Sequence, residues 1–240
     1  MNRSNGSPAS NTRDIVILMA VLLMIVPLSS SAQEFAPSAD QRVVLVTGST
    51  GGLGREVALA LAGRGNHVIV HGRNIERGES LVADIAKLGV GSARFYPADF
   101  GSLDEIRAFG TAILEDYSRL DVLVNNAGIF FPRSTSRRVS DDGYELHFQV
   151  NYLATYMLTD MLMPLLESSA RSRIINVASA AQRALEFDNL MLESDYDGSR
   201  AYAQSKLAQI MMTFSLANEL SDRGITINAL HPSTFMDTDM

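Results

Sequence analysis

The feature that most constrains how this chain can fold is a repeated alternation between short apolar runs and longer segments of helical periodicity. The runs are rich in Val, Ile and Leu without polar alternation, as expected for strands that are covered on both faces. Strands are predicted at 43–46, 67–70, 93–96, 122–124, 174–177 and 225–230, and helices at 55–62, 75–88, 103–117, about 142–166 and 202–220. Such alternation predicts an α/β fold, a doubly wound parallel sheet with right-handed crossovers.

Composition and charge exclude several classes of protein. The 240 residues, 46% hydrophobic and 20% charged, are enough for one sizeable core and are not typical of a disordered chain. A net charge of -7 argues against a nucleic-acid partner, which would need a basic face. The sequence has no cysteine, which excludes disulfides and thiolate ligands, and its four histidines lack ligand spacing, so we expect no metal site.

One short basic cluster lies between the fourth predicted strand and the long predicted helix. It consists of Arg133, Arg137 and Arg138. We interpret it as a solvated loop, and the alternative is that it guards a substrate entrance used by anionic ligands.

The amino terminus is unlike the rest of the chain. An almost unbroken apolar run at 15–28 follows Arg3 and Arg13 and precedes small residues that end at Ala32. This order is typical of a secretory signal peptide. An uncleaved anchor is an alternative, although the run is shorter than the roughly 20 residues that span a bilayer. Residues 1–32 are therefore predicted to be a signal peptide or anchor that makes the protein exported or membrane-associated.

A third interpretation of this segment is a mis-assigned start codon, with translation beginning near Met19 or Met24, which would leave the protein cytoplasmic. Residues 33–41, rich in Pro, Ser, Ala and acids, are predicted to be a linker. The folded domain is predicted to cover 42–240.

A glycine-rich turn connects the first predicted strand to the first helix, with the pattern T-G-x-x-x-G-x-G. Glycines let backbone N–H groups approach a pyrophosphate, and the helix N-terminus adds partial positive charge there. The alternative is that the turn only joins the strand to the helix and binds no ligand. The predicted cofactor-binding residues of this turn are Thr47, Gly48, Ser49, Gly52, Leu53 and Gly54.

The end of the second predicted strand bears on which dinucleotide binds. An acid about 20 residues after the glycine-rich turn would hold a ribose 2′-OH, but this chain has Arg73 there. A guanidinium pairs with a 2′-phosphate, so NADP(H) is favoured over NAD(H). Asp99, just after the third strand, is predicted to contact the adenine edge or, alternatively, to cap the following helix.

Several motifs in order carry a family resemblance. They are Thr47 to Gly54, Asn125-Asn126-Ala127-Gly128, Ser179, and Tyr202 with Lys206. Together they resemble the short-chain dehydrogenase/reductase family, whose fold is of the Rossmann type. The segments 142–146, 150–151 and 202–206 are similar to its retinol-dehydrogenase-like branch in particular.

The chemistry expected of Tyr202 and Lys206 follows from their spacing. Residues at i and i+4 lie on one face of a helix, and a nearby ammonium favours the phenolate form of a tyrosine. Tyr202 is therefore predicted to act as general acid or base towards an alcohol or carbonyl oxygen. Taken alone, such a pair is more often structural.

The resemblance implies further roles for this chain's residues. Lys206 would also hold the nicotinamide ribose, Ser179 would hydrogen-bond the substrate oxygen, and Asn151 would hold a water in a proton relay. The remaining residues with implied roles in cofactor binding are Tyr202 itself, Asn125, Ala127, Gly128 and, near the nicotinamide carboxamide, Thr238.

The resemblance also leads us to expect a C-terminally short domain. Family members normally continue beyond the position of Met240 with a substrate-covering segment and a last strand and helix, so the sheet is expected to lack these. Two functions stay open: an oxidoreductase acting on an apolar alcohol, aldehyde or ketone, and a catalytically weak or inactive nucleotide-binding sensor or scaffold. The resemblance further implies a homodimer formed through the two longest helices.

Overall fold

The computed structural model of the chain describes residues 37–233. The predicted signal peptide or anchor at 1–32, the first part of the predicted linker, and Thr238 lie outside the described residues. Within residues 37–233, no helix has both the length and the apolar character needed to cross a bilayer.

Six parallel strands form one sheet in the order β3-β2-β1-β4-β5-β6, which confirms the predicted doubly wound fold. The strands are β1 Val43–Val46, β2 His67–Gly72, β3 Ser92–Pro97, β4 Val122–Asn125, β5 Ser172–Val177 and β6 Ile225–Leu230. The order reverses between β1 and β4, and in such sheets ligands bind outside the carboxyl ends of the strands at this point.

Helices connect the strands on both faces of the sheet. They are α1 Gly52–Ala62, α2 Ile75–Leu88, α3 Leu103–Asp116, α4 Ala154–Met161, α5 Met163–Glu167 and α6 Gly198–Asp222. A π-helical turn at Phe148–Leu153 precedes α4, and a 3₁₀ turn at Phe187–Asn189 precedes α6. The side chains of Asn74, Ser102 and Asp197 cap α2, α3 and α6 by accepting from backbone N–H groups of the first turn.

Alternate residues of the central strand supply two separate apolar cores. Val43 and Leu45 pack into one cluster, and Val44 and Val46 pack into another on the opposite face. This is the period of two that a strand imposes on its side chains. Because both faces are covered, β1 carries no polar alternation, as the sequence pattern indicates.

The predicted helix at 142–166 is wrong in its start and in its continuity. Residues 142–143 lie in a turn in which Gly143 has a φ of +86°, a conformation that favours glycine and ends helical geometry. The chain becomes helical near Leu146, passes through the π-helical turn, and breaks at Leu162. Pro164 follows at the start of α5, where its missing N–H costs no hydrogen bond.

Two helices begin earlier than their apolar periodicity predicts. α1 begins at Gly52 rather than Arg55, and α6 begins at Gly198 rather than Tyr202. The signals that mark these starts are glycine in the first turn and the Asp197 cap, and neither contributes to an apolar pattern.

Candidate active site

A cavity of about 640 Å³ opens at the carboxyl edge of the sheet. It is bordered by the glycine-rich turn, by the segments that follow β2, β3, β4 and β5, and by one face of α6. The predicted site residues that line it are Gly48, Gly52, Leu53, Gly54, Arg73, Asp99, Ala127, Gly128, Ser179, Tyr202 and Lys206.

The glycine-rich turn is held in place at Gly48 from two sides. Gly48 has a φ of +62°, its N–H donates to Nδ1 of His71 at 3.0 Å, and its carbonyl accepts from Nδ2 of Asn126 at 3.2 Å. A β-carbon at Gly54 would overlap that same carbonyl and the Asn126 amide. The bare backbone at the N-terminus of α1 therefore fits a diphosphate, which would be bound by N–H groups and the helix dipole.

Thr47 and Ser49 lie beneath the turn and do not line the cavity. Thr47 Oγ1 accepts from the N–H groups of Asn126 and Ala127 at 3.0 and 2.9 Å. Ser49 Oγ accepts from the His71 N–H at 3.0 Å. These two hydroxyls tie the turn to β4 and β2, so the structure gives them a supporting position.

The predicted 2′-phosphate end of the cavity carries two arginines. Arg73 pairs with Asp99 at 3.4 Å, and the two side chains are 66% and 43% exposed. Arg77, which sequence reasoning missed, also lines the cavity, and its Nη1 would lie 3.6 Å from a β-carbon on Gly51. The available signal was its spacing of four residues from Arg73 across the start of α2.

Asp99 does not cap α3, so that alternative is wrong. The N-cap is Ser102, whose hydroxyl accepts from the N–H of Glu105. Asp99 instead accepts from the N–H of Gly101 at 2.8 Å and faces the cavity. This places a carboxylate beside Arg73 at the cavity edge.

Asn125 faces away from the cavity, although the resemblance implies a cofactor contact. Its Nδ2 donates to Asn176 Oδ1 at 2.9 Å and to Thr159 Oγ1 at 3.2 Å, and the side chain is buried. Asn126, its neighbour, lines the cavity and holds the glycine-rich turn. Asn125 is the last residue of β4 and Asn126 follows it, and their side chains turn to opposite sides, which separates the two roles.

Tyr202 and Lys206 are brought together on one face of α6. Lys206 Nζ lies 5.9 Å from the centre of the Tyr202 ring and donates to the Val177 carbonyl at 2.7 Å and to Gln209 Oε1 at 3.4 Å. Burial lowers the pKa of Lys206 to about 8. A cation is thus fixed beside the phenol by a carbonyl at the end of β5.

Ser179 follows β5 and lines the same cavity. Its Oγ accepts from the N–H of Ala181 at 3.1 Å, which is a short turn contact. Because that contact uses the oxygen only as an acceptor, the hydroxyl hydrogen stays available for an oxygen in the cavity.

Asn151 is buried in the π-helical turn and does not line the cavity. Its Oδ1 accepts from the Ile129 N–H at 2.8 Å, and its Nδ2 donates to the Ile129 carbonyl at 3.1 Å and to Ser205 Oγ at 3.0 Å. A β-carbon at Gly128 would lie 3.3 Å from Asn151 Oδ1 and 3.5 Å from Lys206 Nζ. Asn151 therefore joins the segment after β4 to α6, next to Lys206.

Aromatic residues after β4 form a wall beside Tyr202 that sequence reasoning did not single out. The Phe130 ring lies 4.3 Å from the Tyr202 ring, centre to centre, and Phe131 lines the cavity. Arg138 stacks over Phe131 at 4.2 Å. The predicted basic loop is thus partly structural: Arg138 borders the cavity, while Arg137 donates to the Met191 carbonyl at 2.7 Å.

A family model described as short chain dehydrogenase matches residues 42–240. The chain is 40% identical over 198 residues to human retinol dehydrogenase 13, covering 80% of this chain and 58% of that protein. It is 36% identical over 229 residues to human retinol dehydrogenase 11, covering 92% of this chain and 71% of that protein.

A solved structure is similar over most of the described fold. RhlG of Pseudomonas aeruginosa, in a complex with NADP, matches with a TM-score of 0.68 and 29% identity, covering 85% of this chain and 76% of that one. Its sequence identity is lower than that of the retinol dehydrogenases. The chain spans little more than half the length of human retinol dehydrogenase 13.

Proposed function

Because this chain belongs to the short-chain dehydrogenase family, in its retinol-dehydrogenase-like branch, we propose that it interconverts an alcohol and a carbonyl using NADP(H). One observation carries the proposal: Tyr202, Lys206 and Ser179 border one cavity next to a glycine-rich turn at a helix N-terminus. Each residue alone has an ordinary structural explanation, but their convergence at the switch point of a parallel sheet favours a dinucleotide enzyme.

The proposed chemistry assigns one task to each side chain. Tyr202 donates its phenolic proton to the substrate oxygen in reduction and accepts it in oxidation. Ser179 donates a hydrogen bond to that oxygen, and the Lys206 ammonium supports the phenolate formed when Tyr202 gives up its proton. When bound, the nicotinamide supplies or accepts the hydride.

The preference for NADP(H) rests on charge at the end of β2. Arg73 and Arg77 place two guanidinium groups at the cavity edge, and guanidinium groups bind phosphate oxygens in bidentate fashion. The complex of RhlG with NADP supports this preference by analogy. Without a dinucleotide, Arg73 pairs with Asp99 at 3.4 Å, a distance long enough for a phosphate to compete with Asp99 for the guanidinium.

We further propose an apolar substrate. Ile129, Phe131 and Val177 line the cavity, and Phe130 packs on the Tyr202 ring. Such a wall favours a hydrocarbon chain over a sugar or an amino acid. The names of the retinol dehydrogenases are consistent with an apolar primary alcohol or its aldehyde.

The test is NADPH oxidation with a panel of apolar aldehydes and ketones, run with the native chain and with Tyr202→Phe. We expect turnover by the native chain and a loss of about 10²–10⁴-fold in kcat for the variant, as for removal of a general acid. NADPH binding should be retained, because the Phe ring can keep its packing on Phe130. Binding without turnover in the native chain would favour a sensor or scaffold, and absence of dinucleotide binding would overturn both functions.

A homodimer is proposed on separate grounds. Phe214 and Met211 on α6 are 76% and 46% exposed, and Tyr156 on α4 is 49% exposed, so these two helices present apolar groups to solvent. Light scattering on the native chain should give a dimer, and Phe214→Glu should give a monomer. Phe187→Glu, at a residue that is 75% exposed on the 3₁₀ turn, is the matched control and should leave the dimer intact.

A further inference from the structure

A buried polar cluster that the proposed chemistry does not use lies directly behind the aromatic wall. It consists of Glu145, His147 and Tyr196. Glu145 and His147 are 1% and 0% exposed, and His147 Nδ1 lies 2.8 Å from Glu145 Oε1. The Tyr196 hydroxyl donates to the same carboxylate oxygen at 3.1 Å. A buried carboxylate and imidazole are costly to desolvate, so their presence calls for a role.

The hydrogen bonds fix the form of the His147 ring. Its Nε2 lies 3.1 Å from the backbone nitrogen of Phe131, and a backbone N–H can only donate, so Nε2 is the unprotonated nitrogen. Nδ1 then carries the hydrogen and donates to Glu145. The other Glu145 oxygen accepts from the N–H of Phe148 at 2.8 Å, which holds the carboxylate to the start of the helical segment.

The charge of Glu145 is maintained despite its burial. Desolvation raises the pKa of this carboxyl, but the hydrogen bonds that it accepts from His147 and from backbone N–H groups outweigh it, so its pKa lies below the usual value. The Glu145 carboxylate accepts from Nδ1, so the hydrogen of the neutral ring lies on Nδ1. Nε2 is then the acceptor for the Phe131 N–H.

Phe131 connects this cluster to α6, the helix that carries Tyr202 and Lys206. A β-carbon at Gly198, the first residue of α6, would overlap the Phe131 carbonyl, so the two backbones are in close contact. The Gly198 N–H donates to the Ser134 carbonyl at 3.0 Å. Tyr202 lies one turn further along α6, and its ring packs on Phe130. Phe131 thus lies between His147 on one side and the start of α6 on the other.

From this arrangement we infer that Glu145 and His147 are positioning residues, which hold Phe131 by its N–H and so set the placement of the Phe130 ring and of Tyr202. The expected effect on kcat rests on the proposed function, whereas the placement of Phe131 does not. Neither residue lines the cavity. His147 reaches the site through its bond to the Phe131 N–H and through its ring, whose centre lies 6.4 Å from that of the Tyr202 ring. A misplacement of about 1 Å at the reacting oxygen can cost about 10²-fold in rate.

Two substitutions at position 147 separate the two hydrogen bonds. His147→Gln can place an amide oxygen near the position of Nε2 and keep an acceptor for Phe131, whereas His147→Asn can donate to Glu145 but does not reach Phe131. We expect kcat to fall about 10–100-fold for Asn and less than about 3-fold for Gln. The Kd for NADPH should stay within about 2-fold in both, because the cluster does not contact the glycine-rich turn.

Amide hydrogen exchange tests the same inference without turnover. The Phe131 amide should be protected in the native chain and in His147→Gln, and should exchange faster in His147→Asn. The Ile129 amide, which donates to Asn151, is the internal control and should stay protected in all three. Should the native chain show no turnover, the proposed function fails while the exchange data still decide the positioning role.

Two results would overturn the inference. One is unchanged protection of the Phe131 amide in His147→Asn. The other is an equal loss of kcat in the Gln and Asn variants, since that would indicate general packing rather than the bond to Phe131. If His147→Asn fails to fold, Glu145→Gln provides the second variant: it removes the carboxylate that holds the hydrogen of His147 on Nδ1. Unchanged exchange at Phe131 together with unchanged kcat would then count against the inference.

Discussion

The Lys206 ammonium is fixed 5.9 Å from the centre of the Tyr202 ring by donating to the Val177 carbonyl at 2.7 Å. This contact links the last residue of β5 to the third turn of α6. It keeps a cation inside the cavity before any anion binds, and burial alone brings the pKa of Lys206 down to about 8.

NADPH affinity should therefore depend on pH above about 8. A bound dinucleotide is negatively charged and favours the ammonium, so binding raises the pKa of Lys206 and takes up a proton. Since the free protein loses that proton as pH rises through about 8, affinity should fall by up to about tenfold per pH unit between 8 and 10. Fluorescence titration across pH 7–10 measures this, and Lys206→Gln should flatten the profile. An equally steep profile in the variant would assign the effect to another group.

Arg73 should discriminate between the two dinucleotides. For Arg73→Ala we expect NADPH affinity to fall about 10–100-fold, the size of one or two lost charge-assisted hydrogen bonds, with NADH affinity within about 3-fold. Arg77→Ala should act in the same direction. Arg64→Ala, at an exposed arginine between α1 and β2, is the matched control. A parallel loss for NADPH and NADH would contradict a 2′-phosphate contact.

His71 should matter for dinucleotide binding although no sequence motif includes it. Its Nδ1 accepts from the Gly48 N–H, so a leucine would leave that N–H without this partner, while the amide oxygen of asparagine can take the place of Nδ1. We expect NADPH affinity to fall about tenfold in His71→Leu and less than about 3-fold in His71→Asn. Equal affinity in the two variants would show that the Gly48 bond does not shape the turn.

His67 should make the protein sensitive to acid. The ring lies within hydrogen-bonding distance of Ser92 Oγ at 2.7 Å and Tyr117 OH at 2.9 Å, and burial, with a contribution from the Arg94 charge, lowers its pKa to about 4. A folded-state pKa below that of the unfolded chain means that the unfolded chain binds the proton first. The contribution of neutral His67 to the free energy of unfolding is thus fully present above about pH 6.5. It falls by up to about 3 kcal/mol as the pH drops to 4.

Urea unfolding at pH 7.5, 6 and 5 checks this expectation. In His67→Gln the pH dependence of the free energy of unfolding should be shallower over this range, because glutamine does not titrate. His71, whose pKa burial lowers to about 3, remains in that variant and accounts for part of the residual slope. A slope identical to that of the native chain would exclude His67 as a contributor.

The sheet was predictable because its signal is local. The central strands β1, β2 and β4 are mostly apolar runs without polar alternation, whereas the outer strands β5 and β6 alternate between buried and more exposed residues. The connections carry their own cap residues, such as Asn74 and Ser102. The pairing of Tyr202 with Lys206 is equally local, since helical spacing alone brings them to one face. These features need no knowledge of distant contacts.

The rest of the site depends on contacts between segments far apart in the chain. His71 meets Gly48 across 23 positions, and Tyr196 meets Glu145 across 51. Asn125 pairs with Asn176 at the end of β4 and is buried, whereas Asn126, the next residue, faces the cavity. These contacts form only in the assembled sheet, so they cannot be predicted from composition or periodicity.

The close approach at Gly54 has a consequence for how a dinucleotide would associate. The turn, the start of α1 and the Asn126 side chain meet there without room for a single carbon atom. The backbone of the glycine-rich turn therefore loses its conformational entropy when the chain folds, so binding a diphosphate there costs no further backbone entropy. Association of a dinucleotide with this turn should be fast and limited by diffusion. The turn should differ little in conformation between the free and the bound protein.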